Sequence, residues 1–138
     1  MEKLSQQQET QQVLDGYFRN VNEKDAEGVA SYFAEEIDWY IFESQLMPWT
    51  GRRTKKTEVA PLLRQLFDAH AAGEDQFEID HLFIDGNEAA VFGMAGRRVK
   101  ATGKKFSAHF CMRFTIQNGL IIRFLMLEDS HEIEKAFI

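Results

Sequence analysis

One cysteine, Cys111, stands in a chain of 138 residues. No intrachain disulfide can form, so a reducing, cytoplasmic setting is the default expectation. Positive charge is also in short supply. Lys and Arg total 16 against 22 Asp and Glu, for a net charge of −6 and a pI near 5.2. Non-specific nucleic-acid binding relies on a positive surface that displaces phosphate counterions, and this balance argues against it. Long apolar runs are missing, and the start, MEKLSQQQETQQ, has no apolar core of a leader; neither membrane insertion nor a membrane partner is expected. The four histidines are scattered, with neither His-Glu-x-x-His nor His-x-His spacing, so no metal is expected. Phosphate-binding glycine loops and dinucleotide fingerprints are absent too, because Gly93-Met94-Ala95-Gly96 has too few glycines. No cofactor is expected.

What the chain does have is Phe, twelve of them, and two Trp. That apolar volume suits a core wrapped around a pocket as well as a solid one. One domain spanning 1–138 is expected, with the polar, Gln-rich residues 1–12 frayed. Val13, Leu14, Tyr17, Phe18 and Val21 then recur on one helical face. Asp25 is placed to cap a short second helix that buries Val29, Ala30 and Phe33. Ile37 to Phe42 reads as a short strand and the segment around Pro48, Trp49 and Gly51 as a loop. A third helix is predicted from near Thr57, with Pro61 in its first turn and Gly73 as its stop. Leu62, Leu63, Leu66, Phe67 and His70 share a face of it, although His70, like His131, reads as a solvent-side residue.

The period then changes from 3.6 to 2. Phe77, Ile79, His81 and Phe83 alternate with polar and apolar partners up to an Asp85-Gly86-Asn87 turn. A strand from Glu88 to about Lys100 follows, with Gly93 and Gly96 as bulge or bend points. Ala101 to Asp129 reads as a long hairpin closed at Asn118-Gly119. Its first strand carries Phe106, Ala108, Phe110, Met112, Phe114 and Ile116 on one face and Ser107, His109, Cys111, Arg113 and Thr115 on the other. A short helix ends the chain. Helices and strands are segregated, hence α+β. Two basic clusters, Arg52–Lys56 and Arg97–Lys105, read as solvated edges.

The order of several short motifs resembles the nuclear transport factor 2-like superfamily, and within it the SnoaL-like group of polyketide cyclases and ketosteroid isomerase. The resemblance runs from about Val13 to Asp129. It rests on the Tyr17 helix, Asn22-Glu23-Lys24-Asp25, Phe33-Ala34-Glu35-Glu36-Ile37-Asp38-Trp39, Trp49-Thr50-Gly51, Ala101-Thr102-Gly103, and Asn118-Gly119-Leu120-Ile121 leading to Asp129. It implies a curved antiparallel sheet wrapped as a cone around about three N-terminal helices, with a short C-terminal helix. It implies a pocket for a small apolar molecule, lined here by Phe33, Trp39, Ile41, Trp49, Phe110, Met112 and Met126. It also implies a homodimer through the outer sheet face, with His109, Cys111, Arg113 and Arg123 as contacts. It does not imply one chemistry, since this fold carries isomerases, cyclases, hydrolases and non-catalytic binding or dimerisation modules.

Asp129, ten residues after Gly119, matches the general-base aspartate of the cyclases. It would equally serve as the N-cap of the last helix, with Glu132 completing a capping box. Glu128 is the reserve base. The register of the hairpin decides which of the two looks inward, because one residue of slip exchanges faces. Tyr17 matches the oxyanion-donating tyrosine of ketosteroid isomerase. That enzyme's two aspartates fall at Ile41 and Phe110 here, so its usual mechanism is not expected. His81, interrupting an apolar run, is either a paired core histidine or a pocket acid/base. Cys111 reads as an inert thiol.

Overall fold

Ser5 starts the first helix by closing a capping box with Gln8: its hydroxyl accepts from the Gln8 N–H at 3.1 Å, and its own N–H donates to the Gln8 side chain at 2.9 Å. In the computed structural model, which describes residues 5–138, helix α1 therefore runs Gln6–Asn22. The Gln-rich segment expected to fray is helical from residue 6, and only residues 1–4 of that segment lie outside the description. Asp25 caps α2, Ala26–Ala30, by accepting from the Gly28 N–H at 2.9 Å.

Strand β1, Phe33–Ile41, begins four residues earlier than its β-branched and aromatic composition suggested, and takes in Phe33. Gly51–Lys55, read as loop, forms β2 and pairs antiparallel with β1. Its sequence, GRRTK, shows no apolar alternation because it is an edge strand, where charged side chains face water and discourage further pairing. A single 3-10 turn, Lys56–Glu58, leads into α3, Val59–Asp68, with Pro61 in its first turn. Four long strands follow: β3 Gln76–Asp85, β4 Glu88–Arg98, β5 Lys105–Gln117 and β6 Leu120–Glu128, and then α4, Ser130–Ala136.

The six strands form one sheet in the order β2-β1-β6-β5-β4-β3. All neighbours are antiparallel except β1 and β6, which run parallel. The architecture is α+β, a curved open sheet whose inner face takes the helices. Phe106, Ala108, Phe110, Met112, Phe114 and Ile116 share that face, as their alternation predicts. Helix α1 docks by inserting Tyr17 edge-on against Phe114, with ring centroids 5.1 Å apart. Phe33, Trp39, Phe114, Ile116 and Ile121 are fully buried. No helix among the described residues is long and apolar enough to cross a membrane.

Two ladder irregularities shape the inner face. In the β5–β6 hairpin, Asn118 and Gly119 take positive φ, 54° and 75°, as a two-residue turn of this type requires. Gln117 then faces Leu120 and Ile116 faces Ile121, but Thr115 faces Arg123, which leaves Ile122 as an extra residue. In the β3–β4 hairpin, Ile79 faces Gly93 whereas His81 faces Phe92, which leaves Asp80 extra. Gly93 is required there. A Cβ at that position would stand 2.1 Å from the Glu78 carbonyl oxygen and 2.8 Å from the Phe110 ring.

Candidate functional site

Inside the cone, between the sheet and helices α1, α3 and α4, lies a narrow cavity of about 60 Å³. Carbon makes up most of its wall. Trp39, Ile41, Trp49, Met112 and Met126 line it, as the sequence suggested. Phe33 and Phe110 do not; they back the wall instead. Phe33 packs on Trp39 at 5.3 Å between centroids, and Phe110 stacks on Phe77 at 5.1 Å and 14°. Three methionines in the lining, Met47, Met112 and Met126, have the rotatable bonds to widen the cavity around a guest.

The Ile122 bulge settles which acid looks inward. Beyond it Phe124, Met126 and Glu128 face Phe114, Met112 and Phe110, so Glu128 joins the cavity lining. Burial pushes its carboxyl above the usual carboxylate range, and the Arg97 guanidinium pulls part of the way back. Asp129 is exposed, is not among the lining residues, and caps α4, accepting from the Glu132 N–H at 3.4 Å.

Tyr17 lines the cavity from α1 and is 4% exposed. Burial drives its phenol far above the ordinary range, with Arg97 opposing, so it remains a neutral O–H donor. His81 is elsewhere. The Asp80 bulge turns Leu82 and Ile84 inward and leaves His81 exposed, its ring stacked on Phe83 at 5.3 Å and 9°. It is neither a core histidine nor a cavity residue.

Two residues read as solvated belong to the site. His70 is 3% exposed and lines the cavity, packed edge-on against Trp49, Phe106 and Phe137. Its Nδ1 is 2.7 Å from the Leu66 carbonyl oxygen. A carbonyl only accepts, so Nδ1 carries the hydrogen. Burial lowers the imidazole pKa, and the Leu66 bond offsets part of this, which keeps the ring neutral and leaves Nε2 as a bare acceptor. Nε2 has no protein partner, and neither does the indole N–H of Trp39. An unmet buried polar atom costs about 1–3 kcal/mol, so both favour a guest with polar atoms of its own. The sequence signal for His70 was its place three residues beyond Phe67, just past the end of α3 and in line with its apolar face.

Arg97 is the second. Ala89, Val91, Gly93 and Ala95 are the buried members of β4, and the same alternation carries Arg97 inward opposite Phe106. It lines the cavity half-buried. Among the described residues no group of His, Cys, Asp and Glu is arranged to hold a metal ion.

The comparisons with known proteins fit this geometry. The model of the SnoaL-like domain family matches residues 14–124. No curated protein sequence matches the chain. Among solved structures, an NTF2-like protein from Burkholderia thailandensis superposes with a TM-score of 0.82 at 18% identity, over 94% of this chain and 97% of that one. Bal32a, from a soil-derived mobile gene cassette, gives 0.81 at 12% identity, over 96% and 99%. TerC, co-crystallised with polyporic acid, gives 0.80 at 15% identity, over 94% and 98%. At such identities the likeness is one of fold.

Proposed function

From the premise that the chain belongs to the SnoaL-like domain family, shown by the match over residues 14–124, we propose that it is a cofactor-independent acid/base enzyme acting on a small, mainly apolar molecule. The observation that carries this reading is Glu128, a carboxylate raised in pKa inside a cavity whose wall, His70 and Arg97 apart, is made of aromatic, aliphatic and methionine side chains. Such a group is a stronger base than an exposed carboxylate and is placed to take a proton from a carbon next to a carbonyl. The electron pair of the broken C–H bond moves onto the carbonyl oxygen, where the Tyr17 O–H and the unpartnered Trp39 N–H are the available donors. His70 Nε2 serves as an acceptor for a substrate hydroxyl. Ile41 and Phe110 stand where ketosteroid isomerase has aspartates, so its usual route is not the one proposed. TerC, of the same fold, offers a precedent for meeting a small organic acid.

A thermal-shift screen over small cyclic ketones and acids, followed by turnover assays on the hits, tests this. Glu128→Gln should lower turnover by about 10²–10⁴-fold. Hits that bind but are turned over equally by Glu128→Gln would make the protein a binding module. A screen in which nothing raises the melting temperature sinks both readings.

We also propose a homodimer through the outer sheet face, in a reducing, cytoplasmic setting. Register supports the face: His81, Phe92, Cys111 and Leu127 form one row across β3, β4, β5 and β6. Phe92 and Leu127 are 44% and 43% exposed, and Phe83 beside them is 56% exposed. An apolar row of that kind marks an interaction surface. Light scattering should give twice the chain mass, and Phe92→Asp should return it to one; a wild-type monomer removes the proposal.

A further inference from the structure

Arg97 stands where three hollows meet. With Phe106 it lines both the apolar cavity and a surface groove bounded by β3, β4, β5 and α4. With Phe77 it also borders a hollow formed by the end of α1 and the segment after α3. The guanidinium is therefore at the mouth, between a carbon-lined interior and water.

Its neighbours leave it unpaired. Arg98 takes Glu74 at 3.0 Å, and Lys24 takes Asp75 at 3.0 Å. Asp75 and Glu128 act on Arg97 through space, and among the described residues it enters no ion pair of its own. The groove leading to it is lined by four cations, Arg97, Lys104, Lys105 and Lys135, and two carboxylates, Glu74 and Glu132. On a chain of net charge −6 that is a local reversal of sign. Lys135 is held by Glu132 at 2.7 Å and Lys104 by the Ile138 carbonyl at 2.7 Å. The free fork of donors is the one at the cavity mouth.

A half-buried guanidinium with open donors, flanked by Phe77 and Phe106, is matched by an anionic oxygen group whose remaining atoms are apolar. We infer that the molecule taken by this cavity carries one anionic oxygen group, a carboxylate or an ionised enol, which Arg97 grips at the mouth while the apolar body lies among Trp39, Met112 and Met126. The inference rests on the small-molecule reading above and specifies its substrate class. It also gives the basic cluster around Arg97 a role: the field of the groove draws in anions, and the cavity then selects for carbon.

Calorimetric titration with cinnamate and with cinnamyl alcohol, which share one apolar body, tests it. Cinnamate should bind roughly tenfold or more tightly than the alcohol. In Arg97→Gln that preference should fall to near unity, with the alcohol's affinity unchanged. Glu128→Gln removes a like charge, so cinnamate should bind it at least as well as it binds the parent. That result holds whether or not Glu128 is a catalytic base, and it keeps this inference separable from the reaction proposed above. If Arg97→Gln does not fold, the Arg97 side-chain N–H resonance of the parent protein replaces it and should shift with cinnamate but not with the alcohol. Equal affinities for the two probes, a preference retained in Arg97→Gln, an Arg97 resonance indifferent to cinnamate, or no binding of either probe at millimolar concentration overturns the inference.

Discussion

The β3–β4 and β5–β6 hairpins carry the same irregularity with opposite consequences. Each has one extra residue, Asp80 in the first and Ile122 in the second. In β3 the extra residue puts His81 on the outside, next to Phe83. In β6 it brings Glu128 inside, opposite Phe110. The side-chain period of a strand is two, so a single inserted residue exchanges every later position between core and solvent. Which side chains face the cavity thus depends on two residues that do not line it.

Shifting the register beyond the Ile122 bulge breaks the comparison most directly. Inserting one Ala after Arg123 would present Leu125, Leu127 and Asp129 to the core in place of Phe124, Met126 and Glu128. Turning the buried Phe124 outward and Asp129 inward should cost at least about 3 kcal/mol, read as a lower urea midpoint, and turnover should vanish. A variant of parental stability would mean that the bulge absorbs the insertion. Next comes the contrast between neighbouring acids. Glu128→Gln should lower turnover by the factor given above, whereas Asp129→Asn should leave it within about threefold of the parent.

Glu128 also sharpens the contrast through pH. In the unfolded chain its carboxyl ionises around its ordinary value of 4.5, and in the folded protein it ionises at higher pH because of burial. Through that window folding retains a proton that the unfolded chain has lost, so stability falls as pH rises. Glu128→Gln should therefore melt above the parent at about pH 7 and level with it below about pH 4.5. The reverse order at neutral pH would show that Arg97 outweighs the cost of burial. His70 has the opposite sign: its lowered pKa favours folding above its ordinary 6.5, and that contribution is lost as pH falls below it.

Deleting Asp80 should do less, about 1–2 kcal/mol, because β3 is an edge strand with much of its length exposed. The smallest effect is expected at the cap. Asp129→Ala should cost about 0.5–2 kcal/mol through loss of the bond to the Glu132 N–H, without change in the cavity.

Local chemistry explains which parts of this fold were legible beforehand. The inner stripe of β5, the Asn118-Gly119 turn, the Asp25 cap and the apolar face of α3 depend on near neighbours in the chain, and each has its own residue signature. Gly93 was readable as a bulge point, although the extra residue proved to lie opposite it in β3. β2 was not legible, because an exposed edge strand needs no apolar pattern. Arg97 and His70 were missed for a related reason: a charged or polar side chain in a basic run, or at a helix end, reads as solvated until the opposite wall is known.

The sequence by itself determined the α+β class, the SnoaL-like family, the face of β5 that turns inward, and the set of acids from which a base would come. Period, turn chemistry and capping act over a few residues, and the chain states them directly. Tertiary structure alone decided that Glu128 looks into the cavity, that Asp129 caps a helix, that His81 lies outside, and that Arg97 lines the cavity. Those outcomes turn on one-residue register shifts between strands distant in sequence, and such shifts are set by how whole faces pack.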